Sequence, residues 1–195
     1  MQPLLAQYVH QKRTLMVLPY IQGDVLDLGC GVSRIPKYLN TDSKYVGVEI
    51  STKFIEWLKE NYPHYTFYQC DLENDRLNLN SQFDTVLMIA VLEHLHNPDN
   101  ILKQISSLLK PDGKLVMTTP TPSGGKIHSI GARIGLFYKE AADQHEGFYN
   151  RDQISTLLSK YDLEITGFEL FLSGGNQLVI CKKKINYAVI DSYGT

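Results

Sequence analysis

The stretch Val25-Leu26-Asp27-Leu28-Gly29-Cys30-Gly31 decides the fold of this chain. Residues 25–28 form a short, nearly continuous apolar run, which is typical of a parallel strand buried on both faces. The glycines that follow let the backbone turn tightly and approach a ligand without Cβ atoms in the way. The stretch therefore predicts a buried strand that ends in a tight turn beside a ligand.

Strand-like and helix-like segments alternate on both sides of this stretch. We predict further strands at 45–50, 66–70, 84–90, 114–119, 163–172 and 178–183, and helices at 4–20, 33–39, 52–61, 100–109 and from Asn150 onward. The last two strands are joined only by Ser173-Gly174-Gly175-Asn176, so they must form an antiparallel hairpin. This order predicts a Rossmann-like, doubly wound α/β fold with a mostly parallel sheet and helices on both faces.

The length of 195 residues predicts one domain over residues 1–195. Within it we expect an N-terminal helical cap at 1–22 and a C-terminal tail at 185–195. Residues 120–149 are rich in glycine, proline, histidine and aromatic residues and have weak periodicity. So long an irregular segment is more typical of a substrate loop or lid than of a connector.

Composition limits the partners and the compartment. With 19 basic and 21 acidic residues the net charge is −2, so no basic field for a nucleic acid is expected. No apolar run approaches the ~18 residues that a membrane span needs. The three isolated cysteines, Cys30, Cys70 and Cys181, form neither a disulfide framework nor a zinc pattern. These features predict a cytoplasmic protein, either a monomer or a weak homodimer, without a membrane span.

The candidate ligand site lies where the strands end. In open α/β sheets, ligands bind at the carboxyl ends of the strands where the strand order reverses. Glu49 ends the second predicted strand, 20 residues after Gly29, and suits the two hydroxyls of a ribose. The alternative is a tight strand-to-helix turn with an acid there by chance. A dinucleotide site would need a small residue at the position of Arg34, so dinucleotide binding is disfavoured.

Five motifs in order resemble those of the class I S-adenosylmethionine-dependent methyltransferases. They are Asp27-Leu-Gly-Cys-Gly31, Val46-Gly-Val-Glu49, Gln69-Cys-Asp71-Leu72, Ile89-Ala-Val-Leu-Glu93-His94-Leu and Leu109-Lys-Pro-Asp-Gly-Lys-Leu-Val116. The likeness runs from about residue 23 to residue 183. It implies a seven-stranded sheet with the last strand antiparallel, and S-adenosyl-L-methionine as the cofactor.

The resemblance also implies roles for individual residues. Asp27 and the backbone of Gly29, Cys30 and Gly31 would hold the methionine end of the cofactor, and Glu49 the ribose. Asp71 would accept from the adenine amino group, and Leu72 would offer its backbone N–H. Ile50 and Ala90 would border the adenosine and the sulfonium. The alternatives are a turn acid for Asp71 and a core residue for Ile50.

Two histidines are candidates for catalysis at the methyl acceptor. A general base matters only where the acceptor carries a proton that must leave. His94 and His145 are the candidates, because a neutral imidazole titrates near the working pH. The alternatives are a structural hydrogen bond for His94, at a loop-to-helix corner, and a surface loop position for His145.

Parts of the sequence also resemble the metal-binding pattern of small-RNA 2′-O-methyltransferases and quinone-biosynthesis O-methyltransferases. The similar residues are Glu93-His94 and the run from His145 to Arg151. Those families carry another glutamate where this chain has Ala90, and a hard cation depends on such carboxylates. We therefore expect no metal.

Together these features predict an enzyme that transfers a methyl group to an oxygen or nitrogen atom of a small-molecule acceptor. One alternative is a non-catalytic cofactor-binding or regulatory subunit, and another is an RNA- or quinone-type metal-assisted O-methyltransferase. The N-terminal helix, which carries Tyr8, His10 and Arg13, would either close over the cofactor or pack on one face of the sheet.

Overall fold

The computed structural model describes residues 4–40, 42–124 and 147–184. Its strands are β1 (Val25–Leu28), β2 (Tyr45–Glu49), β3 (Thr66–Gln69), β4 (Phe83–Ile89), β5 (Leu109–Pro120), β6 (Leu163–Phe171) and β7 (Asn176–Lys183). Its helices are α1 (Leu4–Val17), α2 (Thr52–Asn61), α3 (Asp99–Leu108) and α4 (Arg151–Ser159), with 3-10 turns at Leu18–Tyr20, Ile35–Tyr38 and Leu92–His94. The predicted tail at 185–195 and most of the predicted lid, residues 125–146, lie outside the described residues.

The strands form a seven-stranded sheet in the order β3-β2-β1-β4-β5-β7-β6. The first five are parallel, and β7 runs antiparallel to both β5 and β6. The chain moves outward from β1 through β2 to β3 and then returns to place β4 on the other side of β1. The predicted fold class and the antiparallel hairpin are therefore confirmed. The reversal point lies between β1 and β4.

Helices cover both faces of the sheet. On one face Val17 of α1 and Ile55 and Leu58 of α2 pack in a single core cluster. On the other face α3 and α4 bury Ile101, Ile105 and other apolar residues against the sheet. This arrangement leaves the carboxyl ends of the parallel strands free to carry polar groups.

Local signals placed two of the helices correctly. The Ser51 side chain caps α2 by accepting a hydrogen bond from the Phe54 N–H. Asn150 and Gln153 form a reciprocal capping box at the start of α4. The predicted helix at 33–39 is wrong, because only the 3-10 turn Ile35–Tyr38 forms there. Pro36 removes a backbone donor, and the chain is already extended again at Leu39.

Candidate functional site

A cavity of about 580 Å³ opens at the carboxyl ends of the parallel strands, at the reversal point. Its lining includes these residues predicted from the sequence: Gly29, Glu49, Ile50, Asp71, Leu72, Ala90 and His94. The other predicted residues of the glycine turn, Asp27, Cys30 and Gly31, are close to Gly29 in sequence but do not line the cavity. The volume is in the range of ~300–1,000 Å³ that small-molecule and cofactor sites occupy.

A second, larger groove of about 1150 Å³ lies between residues 76–82 and α3. It contains none of the predicted site residues, and it is lined largely by polar side chains such as Asn80, Gln82 and Lys103. The groove therefore has no part in the candidate site.

Glu49 is held at the cavity by the backbone. Its Oε2 accepts a hydrogen bond from the Gly31 N–H at 2.9 Å, and its Oε1 accepts one from the Ser51 N–H at 3.0 Å. These bonds fix the orientation of the carboxylate, and the residue is only 8% exposed. Each carboxylate oxygen can accept a second hydrogen bond. Glu49 can therefore still accept two hydroxyl groups from a ligand in the cavity.

Asp71 and Leu72 present an acceptor beside a donor. Asp71 accepts hydrogen bonds from the Asn74 side chain and the Glu73 N–H, both at 2.9 Å, and these bonds lower the pKa of its carboxyl group. Asp71 therefore stabilises its own turn, as the alternative prediction had it. Each carboxylate oxygen still has a free lone pair for a ligand. The Leu72 N–H makes no hydrogen bond within the part of the chain that the structure describes. A donor and an acceptor on neighbouring residues match the edge of an adenine ring.

Asp27 is buried beneath the glycine turn, 1% exposed. Its Oδ2 accepts hydrogen bonds from the Tyr45 hydroxyl at 2.6 Å and the Ser33 hydroxyl at 2.9 Å. Burial raises the pKa of Asp27 to about 6, although these two hydrogen bonds lower it; the nearby Glu49 carboxylate adds to the rise. In this structure Asp27 fastens the turn to β2, and a contact with the methionine end of the cofactor stays a prediction.

The turn after β1 depends on two glycines in the left-handed region. Gly29 has a φ of +64° and Gly31 a φ of +53°. Cys30, between them, is buried, and burial raises the pKa of its thiol far above the ordinary value. The thiol is therefore protonated at neutral pH and is no nucleophile.

Alanine at the two glycines should separate backbone strain from steric clash. A Cβ at Gly29 would lie 2.7 Å from Cγ2 of Val91, whereas a Cβ at Gly31 would meet nothing within 4 Å. Both variants strain the backbone by a similar amount. We expect Gly29→Ala to lower the free energy of unfolding by about 1–3 kcal/mol more than Gly31→Ala, the usual cost of overpacking. Urea unfolding of both variants measures this difference, and equal losses would contradict the close approach of Val91 to Gly29.

The segment after β4 also lines the cavity, on the side of β1 away from β2 and β3. Ala90 has a φ of +56°, which is strained for a residue with a Cβ, and its N–H donates to the Thr118 carbonyl at 2.8 Å. His94 also lines the cavity, on the turn Leu92–His94. His145, the other catalytic candidate, lies outside the described residues. The catalytic roles of both histidines remain predictions.

Several lining residues were missed by the sequence analysis: Phe54, Cys70, Glu73, Val91, Leu95 and His96. Phe54 had a usable signal, because α2 begins shortly after Glu49 and Phe54 lies in its first turn. Ile50 itself is 60% exposed, so the alternative of a core residue is wrong. No described residue of α1 lines this cavity. Val17 of α1 packs on one face of the sheet, which was the second of the two roles expected for this helix.

Comparison with known proteins identifies the family. The family model described as "Methyltransferase domain" matches residues 8–167, which is most of the chain. The chain belongs to the class I S-adenosylmethionine-dependent methyltransferase family. The match includes β1 to β5, every described residue that lines the cavity, and the start of β6.

Among curated relatives, the methyltransferase is similar to the ubiquinone biosynthesis O-methyltransferase of Coxiella burnetii (strain Dugway 5J108-111). The two are 30% identical over 122 residues, which is 60% of this chain and 50% of that protein. It is also 28% identical over 113 residues to a protein of Invertebrate iridescent virus 6 named as a methyltransferase, over 56% of this chain and 42% of that protein. The chain therefore spans about half the length of the curated relatives it matches.

Solved structures share the fold. A S-adenosylmethionine-dependent methyltransferase from Clostridium acetobutylicum ATCC 824 superposes with a TM-score of 0.69 at 15% identity, over 90% of this chain and 92% of that one. The glycopeptide N-methyltransferase MtfA, complexed with S-adenosyl-L-methionine, gives a TM-score of 0.67 at 16% identity, over 90% and 87% of the two chains. At such low identity these likenesses establish the fold alone.

Two further features concern partners of the methyltransferase. Within the described ranges, no helix combines the length and the apolar character needed to cross a bilayer. Among the same residues, no three or more His, Cys, Asp or Glu side chains are grouped so as to hold a metal ion. His145 is not among the residues searched.

Proposed function

We propose that this chain transfers a methyl group from S-adenosyl-L-methionine to an oxygen or nitrogen atom of a small-molecule acceptor. The observation that carries the proposal is the set of hydrogen-bonding groups around the cavity. Leu72 N–H and the Asp71 carboxylate suit a ring nitrogen and the amino group of adenine. Glu49, at the end of the neighbouring strand β2, suits the two ribose hydroxyls. These groups match adenosine, the part of the cofactor that needs specific recognition.

The glycine turn favours a cofactor without phosphates. Pyrophosphate sites use the N–H groups of a long helix that starts directly after such a turn. Here the turn leads only into the 3-10 turn Ile35–Tyr38, followed by extended chain. The space beyond Gly31, where a Cβ would meet nothing, is open to the methionine end.

The bound cofactor supplies a methyl group on a sulfonium, already activated for displacement. What remains for the protein is to hold donor and acceptor in line, which supplies up to ~7–11 kcal/mol of the barrier. Glu49, Asp71 and Leu72 would fix the adenosine end. Ala90 and His94 lie on the wall from which the acceptor would approach.

A small acceptor is supported by charge and by the relatives. The net charge of −2 gives no overall positive field for attracting a nucleic acid. The Coxiella burnetii relative is named for ubiquinone biosynthesis and O-methylation, and MtfA for N-methylation of a glycopeptide. These names leave both oxygen and nitrogen as acceptor atoms. Cys30, Cys70 and Cys181 are free and buried, which supports a reducing compartment such as the cytoplasm.

Calorimetry and an acceptor screen test the proposal. S-adenosylhomocysteine should bind in the micromolar range, about −8 kcal/mol, and NAD should not bind. A screen of small phenols, alcohols and amines with a methyl-labelled donor should then yield a labelled product. Tight NAD binding would overturn the cofactor assignment. Cofactor binding without any methyl transfer would favour the non-catalytic alternative.

His145→Ala should cut turnover about 10²-fold or more while the affinity for S-adenosylhomocysteine stays unchanged. The reason is the loss of a general base or of a contact with the acceptor. His64, an exposed histidine after α2, gives a matched control, since His64→Ala should change neither quantity. We expect no sensitivity to chelators, because Ala90 leaves a cation site one carboxylate short. Full turnover of His145→Ala on the true acceptor would remove His145 from the catalytic centre.

A further inference from the structure

A buried ionic group lies between α1 and the carboxyl ends of β4 and β5. Glu93, in the turn after β4, is 0% exposed, and its Oε2 accepts a hydrogen bond from the Thr119 hydroxyl at 3.0 Å. Nη2 of Arg13, on α1, lies 3.8 Å from Oε1 of Glu93. Arg13 Nε also donates to Oδ1 of Asn176, at the start of β7, at 2.7 Å. One arginine thus ties the N-terminal helix to the ends of the central strands.

Arg13 is the cation that lies beside the buried Glu93 carboxylate. Oε1 of Glu93 is buried and makes no hydrogen bond within the described part of the chain. A buried carboxylate without a countercharge is strongly unfavourable. At 3.8 Å the guanidinium supplies the countercharge but is too distant for a hydrogen bond. Without Arg13 the carboxylate would be buried with no countercharge, which favours an orientation of Glu93 toward water.

The same short segment builds a wall of the cofactor cavity. Val91, His94 and Leu95 line the cavity, whereas Glu93, between them, faces α1 and Thr119. A movement of Glu93 toward water would therefore carry its neighbours away from the cavity wall.

The attachment of α1 is concentrated at this point. Of its described side chains, only those of Thr14 and Val17 are buried, and both lie within four residues of Arg13. Farther toward the N-terminus, Leu5 and Tyr8 are exposed. Arg13 therefore lies in the part of α1 that packs against the rest of the chain.

We propose that Arg13 and Glu93 form a latch that couples the seating of α1 to the shape of the cofactor cavity. In this latch Arg13 is a positioning residue, and it acts through Glu93 rather than through a contact with the cofactor. The proposal rests on cofactor binding in this cavity, and it is independent of which acceptor the enzyme uses.

Affinity for S-adenosylhomocysteine, measured by calorimetry, tests the latch in four proteins and one control. Arg13→Met should weaken binding about tenfold or more, because Glu93 loses its countercharge. Adding Glu93→Gln should restore most of the affinity, because a neutral amide needs no countercharge and can still accept from Thr119. Glu93→Gln alone should have the smaller effect. Lys12→Met, which removes an exposed neighbouring cation on the same helix, should bind as the wild type does.

Each other outcome has a definite meaning. Equal loss of affinity in Arg13→Met and the double variant would show that Arg13 contacts the cofactor directly, and it would overturn the latch. Wild-type affinity in Arg13→Met would also overturn it. If Arg13→Met does not fold but the double variant does, the second substitution has rescued the fold. Thermal unfolding then measures this rescue in place of affinity, and it supports the latch. If the wild type binds no S-adenosylhomocysteine, the proposed function fails first, and the latch with it.

A second readout follows α1 itself. Trypsin cleavage after Lys12 should slow when S-adenosylhomocysteine binds to the wild type, since a filled cavity keeps the wall and Glu93 in place. In Glu93→Gln the protection should be weaker, because the helix is no longer held by an ion pair. Equal protection in both proteins would contradict the coupling.

Discussion

Glu49→Ala is expected to weaken the binding of S-adenosylhomocysteine about 10- to 150-fold. Both carboxylate oxygens are oriented by backbone donors, Gly31 N–H and Ser51 N–H, so the residue is placed to receive the ribose hydroxyls without reorganisation. Losing a charged hydrogen-bond acceptor costs about 1.5–3 kcal/mol, which corresponds to that range of affinities. Calorimetry with purified protein gives the value directly.

The fold should survive the Glu49→Ala substitution. Glu49 is the last residue of β2, and water that enters the cavity can satisfy the two backbone donors that it leaves. Glu56→Ala, at an exposed glutamate on α2, is the matched control and should bind as tightly as the wild type. Unchanged affinity in Glu49→Ala would remove this carboxylate from the cofactor site.

Asp27→Asn is expected to flatten the dependence of stability on pH between about 4 and 6. Burial raises the pKa of Asp27 to about 6 in the folded protein, from an ordinary value of 3.8. The folded state therefore holds this proton more tightly than the unfolded chain does. In the wild type the stabilising contribution is complete below pH 3.8 and is lost as the pH rises through about 6, a change of about 3 kcal/mol.

The difference in unfolding free energy between wild type and variant at each pH reports on Asp27 alone, because the other titrating groups are common to both proteins. The amide oxygen of asparagine can still accept from Tyr45 and Ser33, so the turn should keep its geometry. Urea unfolding at a series of pH values across this window measures both proteins, and Asp112→Asn, at an exposed position of β5, serves as the control. Parallel pH profiles of wild type and Asp27→Asn would mean that Asp27 titrates as an ordinary exposed acid.

Much of the architecture was predictable because its signals are local. The apolar run 25–28, the Gly174-Gly175 turn and the two helix caps depend on residues within a few positions of one another. The helix predicted at 33–39 was wrong, and β5 begins at Leu109 rather than at the predicted residue 114. A regular helix does not form at 33–39, because the turn is held by the Ser33 hydroxyl bonding to Asp27 and Pro36 removes a backbone donor.

The order of residues along the chain was enough to place Glu49 at the carboxyl edge of the sheet, and the family resemblance added Asp71 and Ala90. Short apolar runs mark where strands end, and parallel strands end on the same side. The direction in which each side chain faces came instead from the packing of distant segments. Asp27 faces Tyr45 beneath the turn, and Glu93 faces Arg13 on a helix far away in sequence. No local pattern encodes such directions, because a buried charge must point at whatever group can compensate it.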